Sequence, residues 1–426
     1  MTQQSLPLAT KKISAELSLP GSKSLSNRVL LIAAMAKGES LIENLPLSKD
    51  VLAAVDALKS LGINYQFDKV SGRILIQGAN NVFANQKASV FCNEAGTLTR
   101  FIIPLCAAQN TGEYYIYSAD RMMARPIAEQ LKVLTSLGMK AHYEKKLDSL
   151  PMTILANGLN QQGTLHIDDT KSSQFLSGLL IAAPLISNGL KIYLTTDYPK
   201  PYVQMTVDMM RQFGVVVEVD QKFYKVIGNQ TYQSQYYLIE PDISTSSYFW
   251  ALAAITNGSV KVKHVTLNAK QGDICFLKVL EEMGCGVMVE HDGIRVVGSN
   301  VLKGVTVDMR HFSDTFMTVA AVACFAKGET HITGLKHTSL QESDRISTMA
   351  EGLTRLGVKV KITSDSIHIC PQESTLQAAV VEGHSDHRIA MSLALIGLKQ
   401  AGVIINGSEC VSKTCPDYFE RMAKII

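Results

Sequence analysis

The chain contains six similar segments, and this repetition constrains the fold more than any other feature. Each segment begins at a glycine that opens a β-rich run, and successive glycines lie 69 to 77 residues apart. The six glycines are Gly38, Gly112, Gly189, Gly258, Gly328 and Gly402. An apolar residue followed by glycine, such as Leu61-Gly62, lies 24 to 29 residues after each of the first five and is typical of a helix end. Periods of this length indicate repeated supersecondary units.

Each repeat is predicted to form a strand, a helix, two further strands and a second helix. The second helices are expected to begin near Ser22, Gly96, Ser172, Ser244, Ser313 and Ser385. Each leads into an apolar, alanine-rich run such as Phe249 to Ile255, so these helices should be buried. The predicted fold class is therefore α/β.

The sixth repeat is shorter than the others, because it reaches Ile426 before its second pair of strands. The segment Ile13 to Leu19 is expected to supply a missing strand. The chain would then cross near residues 20–21 and 240–241 between two lobes of three repeats. The predicted lobes are residues 21–240 and residues 1–20 together with 241–426, and the two crossings are predicted to form a hinge.

Composition narrows the class of protein. A chain of 426 residues is long enough for two domains, and its net charge of +3 lacks the basic excess of a nucleic-acid binder. The polar N-terminus and the interrupted apolar runs predict neither a signal peptide nor a membrane span, so the expected location is the cytoplasm. The eight cysteines show no C-x-x-C pair and no zinc spacing with histidine, which indicates reduced, mostly buried thiols.

The stretch Pro-Gly-Ser-Lys-Ser-Leu-Ser-Asn-Arg, which starts at position 20, predicts a turn ahead of a buried helix. Gly21 can adopt a positive φ, and Ser22 or Ser24 can cap the helix. Lys23 and Arg28 add positive charge to the free N–H groups of the first helical turn. We interpret this stretch as a binding site for a carboxylate or a phosphate.

These segments closely resemble the family of 5-enolpyruvylshikimate-3-phosphate synthases, the 3-phosphoshikimate 1-carboxyvinyltransferases. The resemblance covers essentially the whole chain. The matching segments are Pro20 to Arg28, Ala95 to Thr97 with Arg100, Arg121-Met122 with Arg125 to Ile127, Ser172 to Phe175, Lys200 to Tyr202, Gln271 to Asp273, Asp314 with Met317-Thr318, Glu342 with Asp344-Arg345, Asp386 to Arg388, and Lys413-Thr414 with Pro416 to Phe419. It implies the two-lobed enolpyruvyl-transferase fold, an inside-out α/β barrel with three repeats in each lobe.

The resemblance also implies an activity and its substrates. The enolpyruvyl group of phosphoenolpyruvate would pass to the 5-hydroxyl of shikimate 3-phosphate, with release of phosphate, in aromatic amino-acid biosynthesis. No cofactor and no metal are implied. No nucleic acid, membrane or protein partner is implied either, and a monomer is expected.

The residues of the family's sites carry over by position. The catalytic residues would be Asp314, Glu342, Lys23 and Lys413. Phosphoenolpyruvate would be bound by Lys23, Gly96, Arg125, Gln174, Arg345, Arg388 and Lys413. Shikimate 3-phosphate would be bound by Lys23, Ser24, Arg28, Ser172, Ser173, Gln174, Tyr202, Asp314, His337 and Gln341. Asp314 would accept the proton of the attacking hydroxyl, and Glu342 would act as acid and base toward carbon.

Residue chemistry alone leaves simpler interpretations open. Ser172 and Ser173 could be helix caps, Tyr202 a core aromatic residue, and Asp314 a capping aspartate. The chain also departs from the family pattern, because Pro199, His337 and Gln341 stand where a serine, an asparagine and a lysine are usual.

These departures weaken the expected contacts to the phosphorylated ring. They leave open a related enolpyruvyl transferase that acts on another cyclic hydroxy acid. A catalytically silent anion-binding relative is a further alternative, although a binding protein has no use for both Asp314 and Glu342.

Overall fold

The computed structural model describes residues 2–161, 164–167, 173–195, 200–371 and 375–426. Its strands are β1 (Gln3–Gln4), β2 (Ser14–Leu17), β3 (Lys37–Glu43), β4 (Asn64–Asp68), β5 (Arg73–Ala79), β6 (Lys87–Phe91), β7 (Gly112–Tyr117), β8 (Lys140–Tyr143), β9 (Met152–Ala156), β10 (Leu165–Ile167), β11 (Leu190–Leu194), β12 (Val217–Val219), β13 (Phe223–Val226), β14 (Tyr236–Leu238), β15 (Ser259–Lys263), β16 (Gly286–Glu290), β17 (Gly293–Val297), β18 (Leu302–Lys303), β19 (Thr306–Asp308), β20 (Ala326–Lys327), β21 (Thr330–Thr333), β22 (Lys359–Ile362), β23 (Ile367–Cys370), β24 (Ala379–Glu382) and β25 (Val403–Asn406). Its helices are α1 (Lys23–Met35), α2 (Lys49–Ser60), α3 (Gly96–Ala107), α4 (Asp120–Met123), α5 (Ala128–Ser136), α6 (Ser173–Ala182), α7 (Pro201–Gln212), α8 (Ile243–Thr256), α9 (Phe276–Glu282), α10 (Phe316–Ala323), α11 (Arg345–Arg355), α12 (His387–Ala394) and α13 (Tyr418–Ile425).

The chain forms two compact units. The central unit is Gly21–Ile239, and the terminal unit comprises the residues up to Pro20 together with Glu240–Ile426. Glu240, placed by the sequence at the end of the first lobe, accepts a hydrogen bond on Oε2 from the backbone N–H of Lys270 at 2.9 Å, a residue of the terminal unit. That the two crossings act as a hinge stays a prediction.

The central unit contains three sheets of four strands with one common order. These orders are β14-β3-β5-β4, β6-β7-β9-β8 and β10-β11-β13-β12. In each sheet the first strand pairs in parallel with the second, as Val90 of β6 does with Ile116 of β7. The remaining strands pair antiparallel. The repetition seen in the sequence is therefore a repetition of sheets.

The terminal unit has the same design with one incomplete sheet. Two of its sheets have the orders β16-β17-β15-β2 and β19-β21-β23-β22, and a third has the order β1-β25-β24. The predicted N-terminal strand exists, but its predicted place in the sixth repeat is wrong. β2 pairs in parallel with β15 of the fourth repeat through Ala15 and Val260, and so completes that sheet. In the third sheet β1 pairs antiparallel with β25. This sheet has three strands, whereas the complete sheets have four.

In five of the six repeats the strand that precedes the second helix was not predicted by the sequence analysis. These strands, which precede the second helices, are β6, β10, β14, β19 and β24. They contain three to five residues, which is too short for an alternating pattern to stand out from the sequence. β6, β10, β19 and β24 each pair in parallel with a strand beyond the following helix, which makes that helix the connection of a β–α–β motif. β14 instead pairs in parallel with β3, whereas α8 leads into β15 of another sheet.

The second helices of the repeats are buried, as predicted. In the central unit these are α1, α3 and α6, and in the terminal unit α8, α10 and α12. All fourteen residues of α8 are buried, whereas α11 keeps one exposed face. A helix that is apolar all round is stable only inside a protein, which explains this placement.

The eight cysteines are free thiols, and most are buried. Among the described residues, no helix is long and apolar enough to cross a membrane.

Candidate active site

The candidate residues gather at the N-terminal ends of helices. In the central unit Lys23 opens α1, Gly96 opens α3, and Gln174 and Tyr202 are the second residues of α6 and α7. α3 and α6 are the connections of β–α–β motifs, so their starts lie at the carboxyl edge of their sheets, where α/β proteins bind ligands. Free N–H groups and the helix dipole make these ends favourable for anions.

The start of α1 carries a buried ion pair. Ser22 caps the helix by accepting a hydrogen bond from the N–H of Leu25 at 3.3 Å. The Nζ atom of Lys23 lies 3.4 Å from Oδ2 of Asp50, and the two side chains are only 12% and 5% exposed. The sequence analysis missed Asp50, although an acidic residue in the first turn of α2 was a signal for it. A ligand that approaches Lys23 must therefore share it with Asp50.

Gly21 is needed for space and not for its backbone angle. Its φ is not among the positive values that the structure contains, contrary to the use that the sequence suggested. A Cβ atom on Gly21 would overlap the carbonyl oxygen of Asn44 and would lie 2.7 Å from Cγ2 of Ile239. Glycine allows this close approach where the chain enters the central unit.

Arg28 ties α1 to α7. Its Nε donates to Oγ1 of Thr206 at 2.7 Å, its Nη1 to the Ser24 carbonyl at 2.8 Å, and its Nη2 to the Tyr202 carbonyl at 2.9 Å. Burial lowers the pKa of Arg28 to about 10. Three of its five N–H groups thus have a structural use in addition to any ligand contact.

Two arginines crowd the start of α3. Arg100 donates from Nη1 to Oε1 of Gln174 at 2.8 Å and lies over the ring of Phe175 at 5.3 Å. Burial, together with the nearby charge of Arg125, holds the pKa of Arg100 well below its usual range. A Cβ atom on Gly96 would overlap Nη1 of Arg125 and lie 2.8 Å from Nη1 of Arg100. A side chain at position 96 would therefore displace both guanidinium groups.

The remaining candidates of the central unit lie nearby in the chain. Ser173 is the first residue of α6 and is partly buried. Tyr202 is also partly buried, and its carbonyl oxygen accepts from Thr206 Oγ1 at 3.2 Å as well as from Arg28. Ser172 and Pro199 lie outside the described residues.

In the terminal unit, Asp314 lies between two arginines. Its Oδ1 is 2.9 Å from Nη1 of Arg345, and its Oδ2 is 2.8 Å from Nη2 of Arg388. Arg345 also donates from Nε to Oδ2 of the fully buried Asp386 at 2.8 Å. Burial opposes the charge of Arg345, but Asp386 and Asp314 raise its pKa above the usual range. The arginines at the starts of α11 and α12 are therefore fixed and charged.

Asp386 itself was matched by the sequence analysis but given no role. It caps α12 by accepting on Oδ1 from the N–H of Arg388 at 3.0 Å. Although burial alone would raise the pKa of Asp386, Arg345 holds it below the usual value. The sequence could have indicated this capping role, because Asp386 lies at a predicted helix start close to a basic residue.

Glu342 lies between a histidine and a lysine. Its Oε2 is 3.0 Å from Nδ1 of His387, and its Oε1 is 3.1 Å from Nζ of Lys413. All three side chains are at most 10% exposed. Each carboxylate oxygen thus has its own partner, which fixes the orientation of the group.

His337 and Gln341 contact other members of the site. His337 lies with Nε2 2.8 Å from Oγ of Ser313, and burial lowers its pKa. Gln341 accepts on Oε1 from Nη1 of Arg345. The two departures from the family pattern therefore lie beside Asp314 and Arg345.

Asp273 is a further buried acid beside this group. Its Oδ2 accepts from Oγ of Ser244 at 2.8 Å, and the side chain is fully buried. Burial, with the charge of Asp314, raises the pKa of Asp273 to about 7. The sequence matched this residue to the family but gave no reason to expect a perturbed acid.

The electrostatics of the terminal unit favour anions over a metal. The donor atoms of Glu342, Asp386 and His387 lie within 4.8 Å of one another, a spacing that could hold a metal ion. Arg345 and Lys413, however, lie 2.8 Å and 3.1 Å from two of these carboxylates and already neutralise them. Added anions can exchange with such internal partners at little electrostatic cost.

A repeated α/β fold that collects cations, an acid and a base at helix N-termini is that of the enolpyruvyl transferases. The family model for EPSP synthase (3-phosphoshikimate 1-carboxyvinyltransferase) matches residues 8–422, and the chain belongs to this family.

Individual relatives support the assignment. A 3-phosphoshikimate 1-carboxyvinyltransferase of Trichormus variabilis is 37% identical over 423 residues, which is 99% of this chain and 98% of the relative. A protein of the same name from Tolumonas auensis is 40% identical and covers 97% of each chain. The structure of EPSP synthase from Acinetobacter baumannii has a TM-score of 0.83 at 24% identity and covers 99% of this chain and 97% of its own. The predicted fold class is confirmed.

Proposed function

We propose that this chain transfers the enolpyruvyl group of phosphoenolpyruvate to the 5-hydroxyl of shikimate 3-phosphate and releases phosphate. Membership of the EPSP synthase family supports the reaction. The observation that carries the mechanism is the pair of carboxylates in the terminal unit, because Asp314 and Glu342 are each held by two basic side chains at distances of 2.8 to 3.1 Å. Asp314 is assigned the proton of the attacking hydroxyl, and Glu342 the proton that is exchanged with C3 of phosphoenolpyruvate.

The first step is an addition. The hydroxyl oxygen of shikimate 3-phosphate forms a bond to C2 of phosphoenolpyruvate, and its proton passes to Asp314. The double bond between C2 and C3 supplies an electron pair to a proton delivered to C3 by Glu342, which forms a methyl group. The product is a tetrahedral ketal phosphate.

The second step is an elimination. The bond from C2 to the phosphate oxygen breaks, and phosphate leaves with the electron pair. Glu342 removes a proton from the methyl group, which restores the double bond and gives the enol ether. The proton that Asp314 took from the hydroxyl leaves on the phosphate, relayed by Lys23 or Lys413, which also stabilise the charge on the departing phosphate. His387 and Lys413 keep the Glu342 carboxylate oriented in both steps.

Phosphoenolpyruvate carries a carboxylate and a phosphate, so it requires several cations. The residues assigned to it are Lys23, Gly96, Arg125, Gln174, Arg345, Arg388 and Lys413. Arginine forks suit bidentate contacts with paired oxygens, and lysines act as point charges. Asp314 holds the forks of Arg345 and Arg388 in position until a substrate oxygen replaces it.

Shikimate 3-phosphate is assigned to hydroxyl, amide and basic side chains. These are Lys23, Ser24, Arg28, Ser172, Ser173, Gln174, Tyr202, Asp314, His337 and Gln341. In this proposal the enzyme acts in the cytoplasm as a monomer, without a cofactor or a catalytic metal.

The proposed activity is tested by phosphate release from phosphoenolpyruvate in the presence of shikimate 3-phosphate or of unphosphorylated shikimate. We expect release with the former and a loss of orders of magnitude in Lys413→Met. Lys424→Met is the matched control, because the Lys424 side chain is 70% exposed and pairs only locally with Glu420 among the ion pairs of the described chain. Equal release with unphosphorylated shikimate would contradict the proposed acceptor.

A further inference from the structure

A group of metal-binding side chains lies on one face of the sheet β19-β21-β23-β22, apart from the proposed active-site residues. His331 of β21 pairs across the strands with His368 of β23. The same register places Glu329, just before β21, opposite Cys370. Because side chains two residues apart on a strand share a face, all four point the same way.

The distances within this group are short. Nε2 of His368 lies 3.0 Å from Oε2 of Glu329. The donor atoms of Glu329, His368 and Cys370 all lie within 4.8 Å of one another. The ring centroid of His331 is 5.3 Å from that of His368. Cys370 is buried, whereas His368 and Glu329 are 27% and 43% exposed, so the group is open to solvent on one side.

We propose that Glu329, His368 and Cys370 bind a divalent transition-metal ion, with zinc the best fit, and that His331 or water completes the coordination. Zinc takes thiolate, imidazole and carboxylate ligands at about 2.0 to 2.3 Å in a tetrahedron, which sets neighbouring donor atoms roughly 3.5 Å apart. Side-chain adjustments of about 1 Å on two paired strands achieve this spacing. A mixture of soft and borderline ligands excludes magnesium and calcium, which prefer oxygen.

Binding is an exchange of cations and not a redox step. The metal takes the place of the thiol proton of Cys370, which goes to solvent, while a neutral His368 binds through one ring nitrogen and keeps its proton on the other. Lys361 and Lys359 of β22 pair with His368 and Cys370, so both flank the group on the same face. Their positive charge lowers the affinity of the group for a cation.

The site has a structural use, because it joins the end of β23 to the start of β21. An ion that binds the folded chain more tightly than the unfolded chain stabilises the fold in proportion to its affinity. The two strands that it joins, β21 and β23, are the central pair of their four-stranded sheet. Metal binding is therefore expected to raise the melting temperature of the protein.

The test uses the reduced, metal-free full-length protein titrated with Co²⁺, a spectroscopic substitute for zinc. We expect one ion per chain, visible bands of a tetrahedral ion, a thiolate-to-metal charge-transfer band, and displacement by Zn²⁺. Cys370→Ser should abolish the charge-transfer band, and His368→Gln should weaken binding at least tenfold, since even indirect partners of a metal ligand contribute 10- to 100-fold.

Matched controls separate this site from others. Cys275→Ser removes a more exposed thiol, and His384→Gln removes a surface histidine that pairs with Glu351 at 3.3 Å, so both should bind Co²⁺ as the wild type does. A spectrum without the thiolate band, or one lost in His387→Gln but kept in His368→Gln, would overturn the proposal. Because His368 is partly exposed, His368→Gln should fold normally. This variant therefore still tests the proposal if Cys370→Ser does not fold.

Discussion

Oδ1 of Asp314 lies 2.9 Å from Nη1 of Arg345, so the proposed base is paired with an arginine that is proposed to bind phosphoenolpyruvate. Arg345 stays anchored through Asp386 whatever happens to Asp314. A substrate carboxylate can therefore replace Asp314 on Arg345 without displacing the guanidinium group. The exchange would release Asp314 to accept the hydroxyl proton.

This relationship predicts the behaviour of Asp314→Asn. The amide cannot accept the proton, so we expect kcat to fall by about 10²- to 10⁴-fold, the usual contribution of a general base. The KM for phosphoenolpyruvate should be unchanged or lower, because the carboxylate that competes for Arg345 and Arg388 is gone. Steady-state kinetics decide the point, and a loss confined to KM would make Asp314 a binding residue.

Glu342→Gln should also turn over slowly while still binding both substrates. The amide keeps the size of the side chain but cannot carry a proton to and from carbon. His387→Gln is the companion variant, and it should lose less activity because His387 only orients Glu342 through the 3.0 Å contact. Substrate binding measured by calorimetry should survive in both variants. A larger loss in His387→Gln than in Glu342→Gln would reverse the assigned roles.

Gly96→Ala should impair binding of phosphoenolpyruvate. The added methyl group would overlap Arg125 and press on Arg100, so both guanidinium groups must move. We expect the KM for phosphoenolpyruvate to rise at least tenfold with a smaller change in kcat. Gly286→Ala is the matched control, since its nearest neighbour would lie at an ordinary 3.6 Å. Equal kinetics in the two variants would show that the crowding is harmless.

Asp273 predicts a pH dependence of stability. Its pKa rises from 3.8 to about 7 in the folded protein, so the folded state holds this proton more tightly than the unfolded chain. The resulting stabilisation is complete below pH 4 and is lost as the pH rises through 7. Asp273→Asn should therefore be more stable than the wild type, by a margin that grows from pH 5 to pH 8 and reaches about 4 kcal/mol at pH 8.

Denaturant unfolding at both pH values checks this expectation. The control is Asp56→Asn on the exposed side of α2, which should behave alike at the two pH values. Destabilisation of Asp273→Asn at pH 8 would show that the charged carboxylate is needed there, for example by Arg388.

The sequence predicted the elements whose signals are local. Glycines at helix ends and the apolar run of α8 led to the repeat and to its buried helices, because both patterns depend only on neighbours in the chain. The short strand β10 was missed, since three residues carry no readable alternation. Its existence depends on parallel pairing with β11, which is a tertiary contact.

The same distinction applies to side chains. Family motifs identified Asp314 and Glu342 but not Asp50. The role of Asp50 depends on the packing that brings it next to Lys23, which is a tertiary contact. The pairing of Glu329 with Cys370 could not be predicted either, because the two residues meet only through the register of β21 and β23. Spacing rules for metal sites apply to ligands close in sequence and overlook such cross-strand pairs.

The most direct test of the mechanism is the reaction in D₂O, with the product analysed by mass spectrometry. Addition followed by elimination passes through a methyl group. In D₂O Glu342 delivers a deuteron to that group, so deuterium remains in the vinyl group of part of the product. We predict deuterium in the product of the wild-type enzyme and much slower incorporation with Glu342→Gln. Product formed at the normal rate without deuterium would contradict protonation at C3 and with it the proposed role of Glu342.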